Sequence, residues 1–434
     1  MLPNAASFLV TEDCNLACKY CFEKHNKNYM TKEIARKGLE YLCENAVKEK
    51  QDSFDVMIFG GEPLLNVDVV EEILKYGVEL SEKYNIRFTA SMVTNATIMT
   101  DRIREVIETY KEKAHLNVQL SIDGIERVQN EFRVTKTGQG SFAMAEKNVP
   151  VWKDIFKDHI TALSIHGCYN HDTLPYMYES YIYFREKWDV PILWFMPIHS
   201  ETWEEGDDEV YRGQLQKIAD YVLDRVKKEN NLQEIYNYAP INRCLDYDAF
   251  PSSPCGAGKF FVTITAKGDI YPCHQFYFND PEHHTKIGNI WEGIDDQRRA
   301  IFMNYGMDDL SCAKKDPNCD AYHCYRCIAE NWEQNGSILS VVDCGGIRCK
   351  MSKIEREIQL KTREEVKKMG LLKNDKNNCT PGNNPNNLNC LCDCRDNEQS
   401  TNEDKETIAM ALKLILDKVD LIEKEQAVLL KKLL

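Results

Sequence analysis

The stretch SFLVTEDCNLACKYC, residues 7–21, runs a short apolar segment straight into three cysteines, Cys14, Cys18 and Cys21. SFLV reads as a buried strand, and the thiols follow where a strand ends and a loop begins. Downstream the same rhythm repeats. FDVMIFGGEP, IRFTASMVTN, HLNVQLSIDG, HITALSIHGCY and VPILWFMPI read as further strands. Between them helical patterns run through TKEIARKGLEYLCENAVKE, from Val67 to Tyr84, and around 101–112, 141–156, 172–187 and 208–229. Strand, helix, strand at this spacing implies right-handed βαβ units, a parallel sheet and, with six units, an open partial (β/α)6 barrel of the α/β class. Ligand sites in such sheets lie at the carboxyl ends of the strands. That is where Cys14, GGEP with Gly60, Gly61 and Glu62, TNAT with Asn95, and SIDG with Ser121 and Asp123 all fall.

The chain has 434 residues, of which 43% are hydrophobic and 28% charged, the composition of a globular protein large enough for two or three domains. The N-terminus carries no basic, apolar and small-residue export pattern, and no run of about 18 apolar residues occurs, so a cytoplasmic protein without a membrane span is expected. A formal charge of −15 argues against a basic grip on nucleic acid or an anionic membrane. Eighteen cysteines in a reducing compartment point instead to metal or redox chemistry. Cys43 and Cys168, flanked by apolar residues and far from other thiols in sequence, are expected to be buried structural thiols.

The C-x3-C-x2-C spacing suits an iron–sulfur cluster held by one irregular loop. Zinc is the rival, but a structural zinc site takes four ligands, and His25 on the same loop is the nearest further donor. At this point the sequence resembles the radical S-adenosylmethionine (SAM) superfamily, through CNLACKYC with Tyr20 before the last cysteine. It resembles it also through FGGEP (59–63) and LSIDG (120–124) followed by FRVTKTGQGSF (132–142). The resemblance implies a [4Fe-4S] cluster on Cys14, Cys18 and Cys21 whose fourth iron is left for SAM. It further implies cofactor contacts from Tyr20, Gly60, Gly61, Glu62, Asn95, Ser121, Asp123 and Arg133. An arginine fork matches the methionyl carboxylate in shape and charge. The implied chemistry is reductive cleavage of SAM to a 5′-deoxyadenosyl radical.

A second set of thiols begins with CGAGKFFVTITAKGDIYPC, residues 255–273, whose alternation and Gly-Asp turn predict a β-hairpin with Cys255 and Cys273 at its ends. The segment is similar to the opening of the SPASM extension, which houses one or two auxiliary [4Fe-4S] clusters. Cys312, Cys319, Cys324, Cys327, Cys344 and Cys349 supply further candidate ligands. Glu333 stands where that pattern would continue with cysteine, and zinc at CYRC is an alternative. YPCHQF, residues 271–276, is similar to thioether-forming maturases of ribosomal peptides, whereas sulfatase-maturing enzymes carry aspartate after the corresponding cysteine. His274 is accordingly the candidate proton relay, its reference pKa lying near neutrality.

Four segments are expected: the barrel over 1–235, a SPASM-like domain over 236–370, an Asn- and Cys-rich linker over 371–403, and an amphipathic helix over 404–434. The linker carries Cys379, Cys390, Cys392 and Cys394, which imitate or constitute a peptide substrate, bind metal, or are incidental thiols of a solvated tail. The last helix has a seam of Ile408, Leu412, Ile415, Val419, Ile422, Leu429 and Leu433 in alternating steps of four and three. The expected activity is modification of a cysteine-containing ribosomal peptide, forming thioethers. Sulfatase-type oxidation of Cys or Ser, or a non-enzymatic zinc-binding interaction protein, are the alternatives. The expected partners are a precursor peptide, an electron donor such as flavodoxin or ferredoxin, and a separate leader-binding protein.

Overall fold

The computed structural model describes residues 1–198, 202–242, 245, 255–280, 282–315, 319 and 327–372. Six parallel strands form in sequence order. They are β1 (Ala5–Thr11), β2 (Ser53–Gly60), β3 (Arg87–Thr94), β4 (Asn117–Ser121), β5 (Leu163–Tyr169) and β6 (Ile192–Pro197). The crossovers carry α1 (Lys32–Lys48), α2 (Val67–Tyr84), α3 (Asp101–Tyr110), α4 (Glu126–Phe132), α5 (Phe142–Ile155) and α6 (Met177–Tyr183), and α7 (Asp207–Glu229) follows β6. Local chemistry sets the helix starts, since Thr31 Oγ1 accepts from Ile34 N and Thr100 Oγ1 from Ile103 N. Alternation sets the faces. Phe54, Val56 and Ile58 of β2 and Phe88, Ala90 and Met92 of β3 are buried in the core. Asp55, Met57 and Phe59, and Thr89, Ser91 and Val93, are half-buried on the opposite face.

Two short helices, α8 (Gln233–Tyr236) and α9 (Ala239–Asn242), lead toward the second half. There β7 (Phe261–Ile264) pairs parallel with β1, Ala5 opposite Phe261, and β8 (Asp269–Tyr271) returns antiparallel. The expected hairpin is present. Its turn spans Thr265–Gly268 and closes on the Gly-Asp pair: Gly268 N donates to Thr265 O, Thr265 N to Asp269 O, and φ of +83° at Gly268 favours a residue without Cβ. After α10 (His274–Asn279), the strand pair β9 (Gly288–Asn289) and β10 (Gly293–Ile294) completes a ten-stranded sheet. Its order is β10-β9-β8-β7-β1-β2-β3-β4-β5-β6, so β6 and β10 are edges and the sheet stays open. It also runs unbroken across the expected boundary at 235/236.

The remaining helices are α11 (Asp296–Met303), α12 (Ser311–Lys315), α13 (Ile328–Asn335) and α14 (Ile347–Lys368). The sequence pattern alone predicts the last one over 352–369. It starts five residues earlier because Gly346 serves as its N-cap and Arg348 N is capped by Asp343 Oδ2 at 3.1 Å. Cys349 therefore sits in a helical first turn rather than in a loop. α14 packs along α7, where Tyr211 Oη donates to Glu355 Oε2 at 3.2 Å. Among the described residues no helix is long and apolar enough to cross a membrane. The helix expected at 404–434, its linker beyond residue 372, and Cys324 lie outside the described residues.

The β5–β6 edge is pinned by a buried ion pair. Glu234 accepts Arg185 Nε at 2.9 Å and Nη2 at 3.0 Å, and also takes Tyr181 Oη and Asn237 Nδ2. Without the Glu234 charge, buried Arg185 keeps only the exposed Asp189, 3.1 Å from its Nη2, as a counter-ion. Glu234→Gln is expected to cost ~3–5 kcal/mol in chemical denaturation, a loss of under about 1 kcal/mol marking the pair as unimportant.

Candidate functional site

The loop after β1 is tied down on several sides. Glu12 N donates to Asn28 O and Met30 N to Val10 O, closing its base. Ala17 N and Lys19 N donate to Val134 O and Phe132 O, pressing its middle onto the segment after α4. Cys14 is buried, and Cys18 and Cys21 are half-buried. Burial pushes the Cys14 and Cys21 thiols up to about 12, and raises Cys18 against the opposing charge of Arg133. Thiols in such surroundings deprotonate when a cation compensates them, which is what metal binding supplies. Among the described residues no three His, Cys, Asp or Glu side chains converge on one ion position. A cubane cluster asks for something else, three separate thiolates each on its own iron, and three thiols spread along one anchored loop fit that requirement. His25 Nε2 lies 3.5 Å from Cys21 Sγ and is the nearest further donor on the loop.

The glycine pair after β2 lies against this loop. Gly61 N and Glu62 N donate to Thr11 O and Asp13 O, both at 2.9 Å. A Cβ on Gly60, whose φ is +124°, would sit 2.1 Å from Thr11 O, and one on Gly61 would sit 2.3 Å from Asp13 O. Only glycine permits that approach. Glu62, fully buried, accepts Leu64 N and Thr94 Oγ1 on one oxygen and Asn95 N on the other, at 3.1, 2.8 and 2.7 Å. Burial lifts its carboxyl to about 7 against those bonds. A carboxylate offers about four acceptor directions, so one is left for a ligand. Glu62 thus ties strand ends together. Asn95 reaches back into the loop, Nδ2 to Asn15 Oδ1 at 2.8 Å and 3.8 Å from Cys14 Sγ.

Asp123, beyond the end of β4, gathers a third group. Its Oδ2 accepts Tyr20 Oη at 2.7 Å, and its Oδ1 accepts Cys168 N at 2.9 Å. Arg133 Nε approaches Oδ1 to 3.0 Å without aiming its N–H at it, so that contact is ionic rather than a directed hydrogen bond. The guanidinium lies 5.4 Å from the Tyr20 ring centre. Burial disfavours its charge, but Asp123, with Tyr20, Cys18 and Cys168 beside it, outweighs that and keeps Arg133 cationic. Ser121, at the end of β4, pairs with His166 on β5.

Two residues here escaped sequence reading. Cys168 is no isolated core thiol: it shares the half-buried face of β5 with His166, and its Sγ lies near Tyr20, Cys18 and Asp123. Burial, then Asp123, pushes it up to about 12. His166 is driven down to about 4 by burial and by Arg133, and is neutral. The available signal was the two-residue step from His166 to Cys168 in a strand ending at the same mouth. Cys43, by contrast, is buried in the core as expected.

The second thiols gather at helix starts. Cys273 is the N-cap of α10 and Cys327 that of α13. Cys327 Sγ donates to Gln275 Oε1 at 3.6 Å, and Cys255 Sγ lies 3.9 Å from Tyr305 Oη. Burial raises Cys273 strongly, and the Cys327 and Cys255 thiols add to it. Cys327 itself is pushed up to about 11 by burial. Cys312 is buried in α12, while Cys319, Cys344 and Cys349 are half-buried on later segments. His274 is stacked between Phe59, 4.6 Å away, and Phe22, 5.7 Å away. Burial holds it down at about 4, a neutral ring whose Nδ1 has no hydrogen-bond partner among the described residues.

Residues 8–177 match the Radical SAM superfamily. The cysteine-type anaerobic sulfatase-maturating enzyme of Clostridium novyi is 24% identical over 335 residues, 72% of this chain and 83% of that protein. The subtilosin biosynthesis protein AlbA of Bacillus subtilis is 25% identical over 313 residues, 69% of this chain and 60% of its own. This chain spans 39–60% of the length of three curated relatives, AlbA among them. The solved structure of anSMEcpe with bound AdoMet superposes with a TM-score of 0.65 at 18% identity, over 86% of this chain and 96% of that one, and so shares the fold.

A methyl group at Gly61 has no room against Asp13 O. Gly61→Ala is expected to displace the thiol loop and to abolish most iron incorporation at Cys14, Cys18 and Cys21 on anaerobic reconstitution. Full incorporation would show that the contact does not shape the loop.

Proposed function

We propose, for a chain whose residues 8–177 are a radical SAM domain, a SAM-cleaving peptide maturase that joins a cysteine sulfur of a ribosomal peptide to carbon. One observation carries the reading: the three-thiol loop, the polar ends of β2–β5 and the helix bearing Cys273 and His274 meet at one mouth. The bound cluster and SAM would supply an electron and a 5′-deoxyadenosyl radical. The protein's own groups do the rest. Cys14, Cys18 and Cys21 hold the cluster, and the charged Arg133, backed by Asp123, faces a carboxylate. Gly60 and Gly61 leave room for close approach of backbone, and Glu62 offers its remaining acceptor direction to an amine. Half-buried Phe59 and His274 line one side of this mouth with aromatic rings, and Phe22 lies exposed at its rim.

The second thiol group, Cys255, Cys273 and Cys327 with Cys312, Cys319, Cys324, Cys344 and Cys349 further along, would hold one or two auxiliary [4Fe-4S] clusters in a SPASM-like segment over 236–370. An iron with an open position there would bind the peptide thiolate. His274 Nδ1, unpaired among the described residues, would take a proton released nearby only where a developing negative charge compensates the burial that holds the ring neutral. A reduced flavodoxin or ferredoxin would deliver the electron, and a separate protein would present the leader. Sulfatase-type oxidation is the second reading, favoured by the longer match to the Clostridium novyi enzyme. The absence of aspartate after Cys273 weighs against it, since His274 stands there.

Co-expression with a cysteine-rich peptide encoded nearby, followed by mass spectrometry, separates the readings. The thioether reading expects loss of two hydrogens per event with sulfur retained. Replacement of sulfur by oxygen on a cysteine would establish the sulfatase type instead. Cys14→Ala, Cys18→Ala and Cys21→Ala are each expected to reduce SAM cleavage at least about a thousandfold, the full barrier contribution of the radical source.

A further inference from the structure

Helix α10 lies between the two thiol groups and touches both. At its start Cys273 caps it, and Gln275 Oε1 accepts from Cys327 Sγ. Along the helix the contacts turn to the first loop. His274 meets Phe22, the residue after Cys21, and Phe59, the residue before the glycine pair. Phe278 meets Phe22 edge-on at 5.8 Å. Tyr277 makes the one polar bond in this set, its hydroxyl donating to Glu12 Oε1 at 2.6 Å.

Glu12 is an unusual acceptor. It is 1% exposed, stands two residues before Cys14, and takes Asn26 Nδ2 and Asn28 Nδ2 on its other oxygen, both at 2.9 Å. Asn26 and Asn28 close the far side of the same loop, so Glu12 clasps both flanks of the three thiols. Its only donor from the second half of the chain among the described residues is Tyr277, 265 positions away. A buried carboxylate depends on its donors, and its charge acts over several ångströms in a medium that screens poorly. The potential of an iron–sulfur cluster follows nearby charge and hydrogen bonding.

Resting on the two-cluster reading above, we propose that Tyr277 is a positioning residue for the three-thiol loop. Through Glu12 it transmits the state of the Cys255–Cys273–Cys327 group to the cluster on Cys14, Cys18 and Cys21. Filling the second group fixes Cys273 and Cys327, and with them the pitch of α10. That sets how fully Tyr277 hydrogen-bonds Glu12. With the hydroxyl donated, the carboxylate's field at the first cluster is damped; without it, the cluster is harder to reduce.

The test uses the full chain, reconstituted anaerobically. The first cluster's EPR signal and midpoint potential are obtained by difference against a Cys14→Ala/Cys18→Ala/Cys21→Ala variant. Tyr277→Phe, which deletes one oxygen and keeps the ring packing on Tyr271 and Phe278, is expected to lower that potential with iron content unchanged. Glu12→Gln is expected to raise it, and to cancel the effect of Tyr277→Phe in the double variant. Cys327→Ala should shift the first cluster's signal in the parent but not in the Tyr277→Phe background. An unchanged signal and potential in Tyr277→Phe overturns the proposal while leaving the function intact. Should that variant lose its iron, an unchanged potential in Glu12→Gln does the same. Absence of any cluster on the first three thiols of the parent would overturn the function instead.

Discussion

A buried guanidinium has to be compensated, and in this protein the compensation is Asp123. Its carboxylate faces Arg133, takes the Tyr20 hydroxyl from the thiol loop and takes a backbone N–H from β5. Isolated charges inside a protein are prohibitively costly, so this set forms together or not at all. The consequence is geometric. Tyr20 sits between Cys18 and Cys21, and whatever fixes its hydroxyl fixes the spacing of those thiols relative to the ends of β4 and β5. Glu62 repeats the device one strand over, drawing Thr94, Asn95 and the turn after β2 onto one carboxylate. The mouth of the sheet is therefore organised by two buried acids, each satisfied by groups from different strands.

Much of this architecture is legible from local pattern. β2 and β3 alternate half-buried or exposed with buried residues without interruption, and the helices that flank this pair, α1 and α3, open on threonine caps, so period and cap chemistry suffice. The loop announces itself because three thiols in eight positions serve few other purposes. What stays hidden depends on distance along the chain. Pairing of β7 with β1 joins residues about 256 apart, and nothing in FVTI states which edge it will take. Cys168 reads as an apolar thiol until β5 is set beside β4, because its neighbourhood is made by Asp123, Tyr20 and Cys18. The early start of α14 is hard to read because Cys344 and Cys349 stand out as candidate metal ligands. Gly346 and Asp343 instead begin a helix there.

The second half of the chain acts on the first through α10. That short helix bears a thiol at its cap, a neutral histidine packed between two aromatic rings of the first half, and a tyrosine bound to Glu12. Under the proposed function, this closeness would let a carbon radical and a peptide sulfur meet within one space.

The central claim is that Cys14, Cys18 and Cys21 hold a cluster with one iron open to SAM. Its most direct test is EPR of the dithionite-reduced protein in which every other candidate cluster thiol is replaced, recorded with and without SAM. The account predicts a [4Fe-4S] signal whose g-values shift when SAM is added. A spectrum that SAM leaves untouched, or a colourless protein carrying zinc on those thiols, would contradict it.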